Sequence, residues 1–234
     1  MKLPNIKYSP SELFSFKNSS RTEKAKKNIV ILFILHVFNF VSLMAIVPVT
    51  LNYLGKTEYG IWLTLASILS WLINLDFGLG NGLRNKLAEA LALNDIRLAR
   101  IYVSTAYAVF SVGILSAFVL YFTIHGFLNW ADLLQAPENY TSLLNTLVLY
   151  VIILFLVQFL LKLITSIINA DQRPSVNGGL SLITNSLTLL VVYLLSIYAE
   201  PSLTIFALVS SGIPVFVFLI ASLFLFGGHF KNIS

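Results

Sequence analysis

The 234-residue chain contains no cysteine and carries few charged side chains. The absence of cysteine excludes disulfide bonds, thiolate metal sites and cysteine nucleophiles. Charged residues make up 11% of the chain, which is about half the share found in a soluble domain. Hydrophobic residues make up 57%, so there is too little polar surface to cover a globule in water. The composition predicts an integral membrane protein that is surrounded by lipid.

The sequence also lacks the residue patterns that metal binding, nucleic-acid binding and catalysis need. The three histidines, His36, His125 and His229, lie far apart in the sequence, so we expect no histidine metal site and no cofactor. The net charge of +5 does not lie on a polar domain, so nucleic acid is not an expected partner. No serine lies in a nucleophile-elbow sequence, and no two intramembrane carboxylates share a helix face. We therefore expect a protein that is not an enzyme.

What the chain does contain is six long apolar stretches, each near the roughly 20 residues that cross a hydrocarbon core. Backbone groups cannot stay unpaired in lipid, and the alternation typical of strands is absent, so these stretches should be helices. We predict an all-α, polytopic membrane protein with a six-helix bundle at 28–228, a cytosolic segment at 1–27 and a cytosolic tail at 229–234. Pro214 should kink the last helix. The predicted spans are about 29–50, 60–77, 101–124, 146–168, 179–198 and 203–226.

The lysines and arginines predict the orientation. Fourteen of the 15 lie in or beside 1–27, the 78–100 loop, the end of the fourth span and the tail, and only Lys56 lies on the other side. By the positive-inside rule both termini are then cytosolic. Within the 78–100 loop, apolar residues from Leu83 to Leu91 recur at helical spacing, which indicates a short amphipathic helix on the inner membrane surface. Asp95 should cap the third span.

Four of the six spans carry polar side chains at helical spacing, mostly in their cytosolic halves. Such groups in hydrocarbon normally face a bundle interior or a water-filled cavity, so we expect a cavity open to the cytosol. Hydrogen bonds between neighbouring helices are the alternative interpretation. The residues are His36 and Asn39 in the first span, Ser67, Ser70, Asn74 and Asp76 in the second, Gln158, Lys162, Thr165 and Asn169 in the fourth, and Asn177, Ser181, Thr184, Asn185 and Thr188 in the fifth.

Three of these residues are ionisable. Lys162 is the only cation within a predicted span; its stem could extend to the inner headgroups, or its ammonium could pair with a phosphate in the cavity. Asp76 is a candidate site for a coupling ion or proton, and it could equally cap a helix or pair with an arginine. His36 is a second such candidate, and a packed hydrogen bond with a neighbouring helix is its alternative.

Four strings in this chain resemble the bacterial O-antigen and polysaccharide flippases of the multidrug/oligosaccharidyl-lipid/polysaccharide exporter superfamily. They are Tyr-Leu-Gly at 53–55, Glu-Tyr-Gly-Ile-Trp at 58–62, Asp-Phe-Gly-Leu-Gly-Asn-Gly-Leu-Arg-Asn at 76–85 and Asn-Ala-Asp-Gln-Arg-Pro at 169–174. The resemblance covers most of residues 21–228. It implies an inner-membrane, multi-pass transporter that flips a polyprenyl-diphosphate-linked oligosaccharide by alternating access between two six-helix lobes.

On this resemblance the expected partners are the lipid-linked glycan, membrane lipids, and a second six-helix lobe or a second copy of the chain. The substrate-binding candidates are Lys162, Gln158, Asn169, Asn39 and Arg84. Relatives that flip the peptidoglycan precursor have several arginines in the cavity, whereas this chain places only Lys162 deep in a span. A lobe of a cation-coupled multidrug exporter, a non-transporting membrane subunit and a truncated remnant are the alternative functions.

Overall fold

A computed structural model describes residues 19–74 and 78–233, and over these residues the chain is helical with short turns and no strand. Side-chain surroundings are described for 29–71 and 78–233. The helices are α1 (Ser19–Asn74), α2 (Leu79–Ala92), α3 (Ile96–His125), α4 (Trp130–Leu133), the 3₁₀ helix η1 (Glu138–Tyr140), α5 (Thr141–Leu161), α6 (Leu163–Ala170), α7 (Pro174–Tyr198) and α8 (Leu203–Gly227).

Five helical segments among the described residues are long and apolar enough to cross a membrane. Large apolar side chains such as Phe33 and Phe224 are exposed on them, as they would be against lipid. The chain is therefore an α-helical membrane protein. The segments are Ile29–Trp71, Ile96–His125, Glu138–Ala170, Pro174–Tyr198 and Leu203–Gly227.

The first of these segments is 43 residues long and is interrupted at Gly55. Gly55 has φ 75° and ψ 174°, a combination that is essentially confined to glycine. We call residues 19–54 the first arm of α1 and residues 56–74 the second arm. The first arm lies along α7: Asn185 Nδ2 donates to Asn39 Oδ1 at 2.7 Å, and the Tyr53 hydroxyl donates to the carbonyl of Glu200 at 3.0 Å.

The second arm runs back beside the bundle. The Trp62 ring packs edge-on against Phe206, four residues into α8, with 5.2 Å between the ring centroids. Leu65 and Leu69 are buried in the same cluster as Val151 of α5. The arm therefore does not continue past the level of Gly55 but returns alongside α5 and α8.

Charged side chains collect at the two ends of the bundle. One end, here called the basic end, holds α2 and the segments 93–95, 171–173 and 228–233. At this end Arg100 Nη2 of α3 donates to the carbonyl of Asn232 at 3.0 Å, which joins α3 to the segment after α8. At the opposite, acidic end the Tyr140 hydroxyl donates to Glu58 Oε1 at 3.4 Å. The basic end carries Arg84, Lys86, Arg97, Arg100, Arg173 and Lys231 with Glu89, Asp95 and Asp171, and the acidic end carries Glu58, Asp132, Glu138 and Glu200 with Lys56.

The predicted amphipathic helix exists as α2, with Leu83, Leu87 and Ala90 buried. Asp95 caps α3 as predicted, because Asp95 Oδ1 accepts from the amide of Leu98 at 2.9 Å. α2 does not simply project away from α3, however. Its first turn lies beside Phe110, which is about 21 Å along α3 from Ile96. α2 and α3 therefore form an antiparallel pair, and we infer that α2 is inclined along α3 and is not flat on the membrane surface.

The predicted fourth span is divided at Lys162 into α5 and α6. Both the amide and the hydroxyl of Thr165 donate to the carbonyl of Lys162, at 2.9 and 2.8 Å, which tightens this turn of the helix. α8 runs as one helix through Pro214, so the predicted kink there stays a prediction. The predicted cytosolic tail packs back on the protein, because Phe230 and Ile233 are buried against α2, α3 and α6.

Candidate functional site

A cavity of about 180 Å³ lies at the junction of α5 and α6, and we call it the lysine cavity. Lys162 and Asn169 reach it from the polar stripe of the predicted fourth span, and Asn81 reaches it from the first turn of α2. The helical spacing of the stripe explains why its residues share one wall. Its lining is Gly80, Asn81, Phe110, Phe159, Lys162, Leu163, Thr165, Ser166 and Asn169.

The electrostatics of the lysine cavity favour an anion. Lys162 is exposed, and within residues 29–71 and 78–233 its ammonium has no hydrogen-bond or ion-pair partner. The first turn of α2, which follows Gly78 in a left-handed conformation, contributes the partial positive charge of a helix N-terminus. Hydroxyl and amide groups of Thr165, Ser166 and Asn169 add hydrogen-bonding capacity around the cation.

A second, larger cavity of about 750 Å³ lies between the first arm of α1 and α7, and we call it the histidine cavity. His36 and Asn39 line it from α1, and Asn177 and Ser181 line it from α7. Apolar side chains of α1 complete the wall, so the cavity is amphipathic. Its lining is Leu32, His36, Asn39, Phe40, Leu43, Pro174, Asn177, Gly178 and Ser181.

Gly178 sets how closely α1 and α7 approach each other beside the histidine cavity. A Cβ built at this position would lie 3.4 Å from Leu32 Cδ2 and 3.6 Å from Leu35 Cδ1. A larger side chain there would push the first arm away from α7, because packed interiors leave little room for added atoms.

The two cavities meet at one polar contact. Asn177 Nδ2 of the histidine cavity donates to Asn169 Oδ1 of the lysine cavity at 3.5 Å, a long and therefore weak hydrogen bond. The predicted polar stripes of the fourth and fifth spans thus lie side by side at the start of α7. A ligand that spans both cavities would have to displace or accommodate this contact.

The remaining candidates from the sequence are placed differently. Gln158 is half-buried and Arg84 is exposed on α2, and neither residue lines either of the two cavities. Asp76 lies outside the described residues. No carboxylate among the residues that the structure describes lines either cavity.

Two features of the site are not apparent from the sequence. Gly80 and Asn81 belong to the lysine cavity only because α2 is inclined against α6, and spacing along one helix cannot reveal that. Ser166 lies four residues after Lys162 and so shares its helix face, but it was not among the predicted stripe. At the basic end, Asp171 Oδ2 pairs with Arg173 Nε and with His229 Nε2, each at 2.8 Å. This cluster holds the turn between α6 and α7 against the end of α8.

The described residues contain no group of three or more histidine, aspartate or glutamate side chains that could hold a metal ion. The site is therefore interpreted through hydrogen bonds and the charge of Lys162. Comparison of the chain with protein-family models, with curated proteins and with solved structures finds no match.

Proposed function

We propose that the chain is one lobe of a transporter that moves a polyprenyl-diphosphate-linked oligosaccharide across the bacterial inner membrane. The observation that carries the proposal is the lysine cavity. There Lys162, whose ammonium has no partner among the described side chains, lies beside polar groups and the start of α2. A diphosphate is the kind of ligand such a site favours, because charge-assisted hydrogen bonds to phosphate are among the strongest in proteins.

The proposal includes six crossings of the membrane, with both termini in the cytosol. The 43-residue segment Ile29–Trp71 would be about 64 Å long as one straight helix, roughly twice the hydrocarbon thickness. The break at Gly55 and the return of the second arm beside α5 and α8 support two crossings within it. The surplus of cations at the basic end supports placing that end in the cytosol.

The histidine cavity is assigned to the glycan in this proposal. It is about four times larger than the lysine cavity and is joined to it at the Asn169–Asn177 contact. Amide, hydroxyl and imidazole groups on an otherwise apolar wall are suited to sugar hydroxyls. A cation-coupled exporter has less support, because among the described residues neither cavity has a carboxylate that could exchange a proton or a metal cation.

The test measures binding of undecaprenyl diphosphate to the purified chain in lipid nanodiscs. Lys162→Gln should weaken binding by about tenfold or more, since hydrogen bonds to charged groups contribute about 1.5–3 kcal/mol. Lys162→Arg should retain much of the affinity because it keeps the charge. Lys56→Gln is the matched control, since it removes one lysine from the acidic end. If Lys162→Gln binds undecaprenyl diphosphate as the unmodified chain does, the lysine cavity does not hold the diphosphate.

A further inference from the structure

A groove of about 200 Å³ runs between α2 and α3 on the side of α2 opposite the lysine cavity. Gly80 and Asn81 of α2 face the lysine cavity, whereas Leu79, Gly82 and Leu83 border this α2–α3 groove, so α2 separates the two. The groove wall is mostly apolar, with polar groups from Lys86, Tyr102 and Thr105. Its other members are Ala106, Val109 and Phe110.

The polar and apolar parts of the groove lie at different depths. α3 has 30 residues and is about 45 Å long, which exceeds the roughly 30 Å hydrocarbon core. If the hydrocarbon core begins at His125, at the acidic end of α3, then about 30 Å along the helix ends the core near residue 105. Thr105 and Tyr102 therefore lie at the membrane boundary of the basic end. Val109 and Phe110 lie one to two turns deeper, in hydrocarbon.

The boundary end of the groove carries a cationic side chain. Among the described residues that line the groove, Lys86 is the cation, and it lies at the same end as Tyr102. Lys86 Nζ lies 3.2 Å from Glu89 Oε2, but both side chains are 62% exposed, so this pair is weak and exchangeable. The hydrogen bond that Lys86 donates to the Glu89 carboxylate raises the pKa of Lys86, so the ammonium is charged at neutral pH.

We propose that the α2–α3 groove binds one anionic phospholipid of the surrounding bilayer. An acyl chain lies against Leu79, Leu83, Ala106 and Val109, and the phosphate lies at the boundary beside Lys86 and the Tyr102 hydroxyl. The match is in both chemistry and depth, because basic pockets between helices on the cytosolic side are suited to anionic headgroups. Lipid binding here does not rest on the proposed transport function: the groove and the lysine cavity lie on opposite sides of α2, and Phe110 is the one described residue that lines both.

The test uses the purified full chain and native mass spectrometry, with phosphatidylglycerol, phosphatidylcholine and undecaprenyl phosphate as separate probes. One retained phosphatidylglycerol is expected, with weaker retention of phosphatidylcholine. Lys86→Gln should weaken phosphatidylglycerol binding about fivefold, the factor for about 1 kcal/mol per lysine near an anionic surface. Lys56→Gln at the acidic end should leave it unchanged.

A second variant tests the groove without altering charge. Gly82 lines the groove and a Cβ there meets no atom within 4 Å, so Gly82→Leu should place its side chain in the groove. Gly82→Leu should abolish retention of phosphatidylglycerol. Gly113→Leu is the matched control and should not, because Gly113 lies in α3 outside the groove and a Cβ there also meets no atom within 4 Å. Equal retention of both phospholipids, or retention that survives Gly82→Leu, would overturn the proposal. Preferential binding of undecaprenyl phosphate that is lost in Gly82→Leu would also overturn it, because the groove would then hold a polyprenyl lipid.

Discussion

At the scale of single residues, the described polar side chains within the spans mostly bond to one another or to backbone carbonyls. Asn39 bonds to Asn185, Ser42 lies 3.2 Å from Ser186, and Thr184 and Thr188 donate to the carbonyls four residues earlier in α7. These bonds satisfy groups that would be costly in lipid. Lys162 differs from them, because its ammonium has no partner among the described residues.

The Asn39–Asn185 bond should contribute modestly to stability. We expect Asn39→Ala and Asn185→Ala to be less destabilising together than the sum of the two, with a coupling energy of about 0.6 kcal/mol and at most about 1.7 kcal/mol. Equilibrium unfolding of the four forms in a mild detergent would give this energy. Asn39→Ala combined with Asn145→Ala, at an exposed asparagine of α5, should be additive. If the Asn39–Asn145 pair showed a coupling energy and the Asn39–Asn185 pair showed none, the Asn39–Asn185 hydrogen bond would be contradicted.

At the scale of elements, the sequence predicts helices well and their interruptions poorly. The predicted spans correspond to helical segments, α2 exists, and Asp95 caps α3. Between the first two predicted spans the chain stays helical and is interrupted at Gly55, which the spans did not predict. The division of the fourth span at Lys162 and the inclination of α2 were also not predicted. Each depends on contacts with other helices, which periodicity within one segment does not encode.

The reversal at Gly55 gives a prediction at this scale. Gly55→Ala should destabilise the fold by about 1–3 kcal/mol, because a Cβ strains a backbone with φ 75° and ψ 174°. Gly60→Ala is the matched control. Gly60 lies in the second arm, where a Cβ meets nothing within 4 Å, so alanine should stabilise the helix by up to about 1 kcal/mol. Thermal unfolding in detergent should separate the two variants in opposite directions. Destabilisation by both to the same extent would show that the backbone at Gly55 is ordinary.

At the scale of the whole molecule, the site depends on how helices from distant parts of the sequence are brought together. The stripe at 158–169 could be predicted from spacing alone, and the structure places its last three members in one cavity. Asn81 could not, because it is about 80 residues away from Lys162 in sequence and meets it only in the folded bundle. Distribution of charge is the whole-molecule property that the sequence predicts most directly. Among the residues whose side chains are described, Arg84, Lys86, Arg97, Arg100, Arg173 and Lys231 lie at one end of the bundle.

The orientation of the bundle can be tested directly because the chain has no native cysteine. Single cysteines at Ala92 and Asn232, both exposed at the basic end, should be protected from an impermeant thiol reagent in intact cells. Single cysteines at Thr57 and Asn139, both exposed at the acidic end, should be labelled. Labelling of all four after membrane disruption is the control for reactivity. A pattern in which Ala92 is labelled from outside and Asn139 is not would reverse the proposed topology.

The pairing of the first arm of α1 with α7 has a consequence for the time course of synthesis. Asn39 and its partner Asn185 are separated by 146 residues, so at about 5–20 residues per second Asn185 is made about 7–30 s after Asn39. During that interval the amide of Asn39 is in the membrane without the helix that later satisfies it. The second arm, by contrast, follows Gly55 within a few seconds. The first arm should therefore be in the membrane without its α7 partner until α7 has been synthesised. A nascent chain stalled before residue 174 should be the form most exposed to intramembrane quality control.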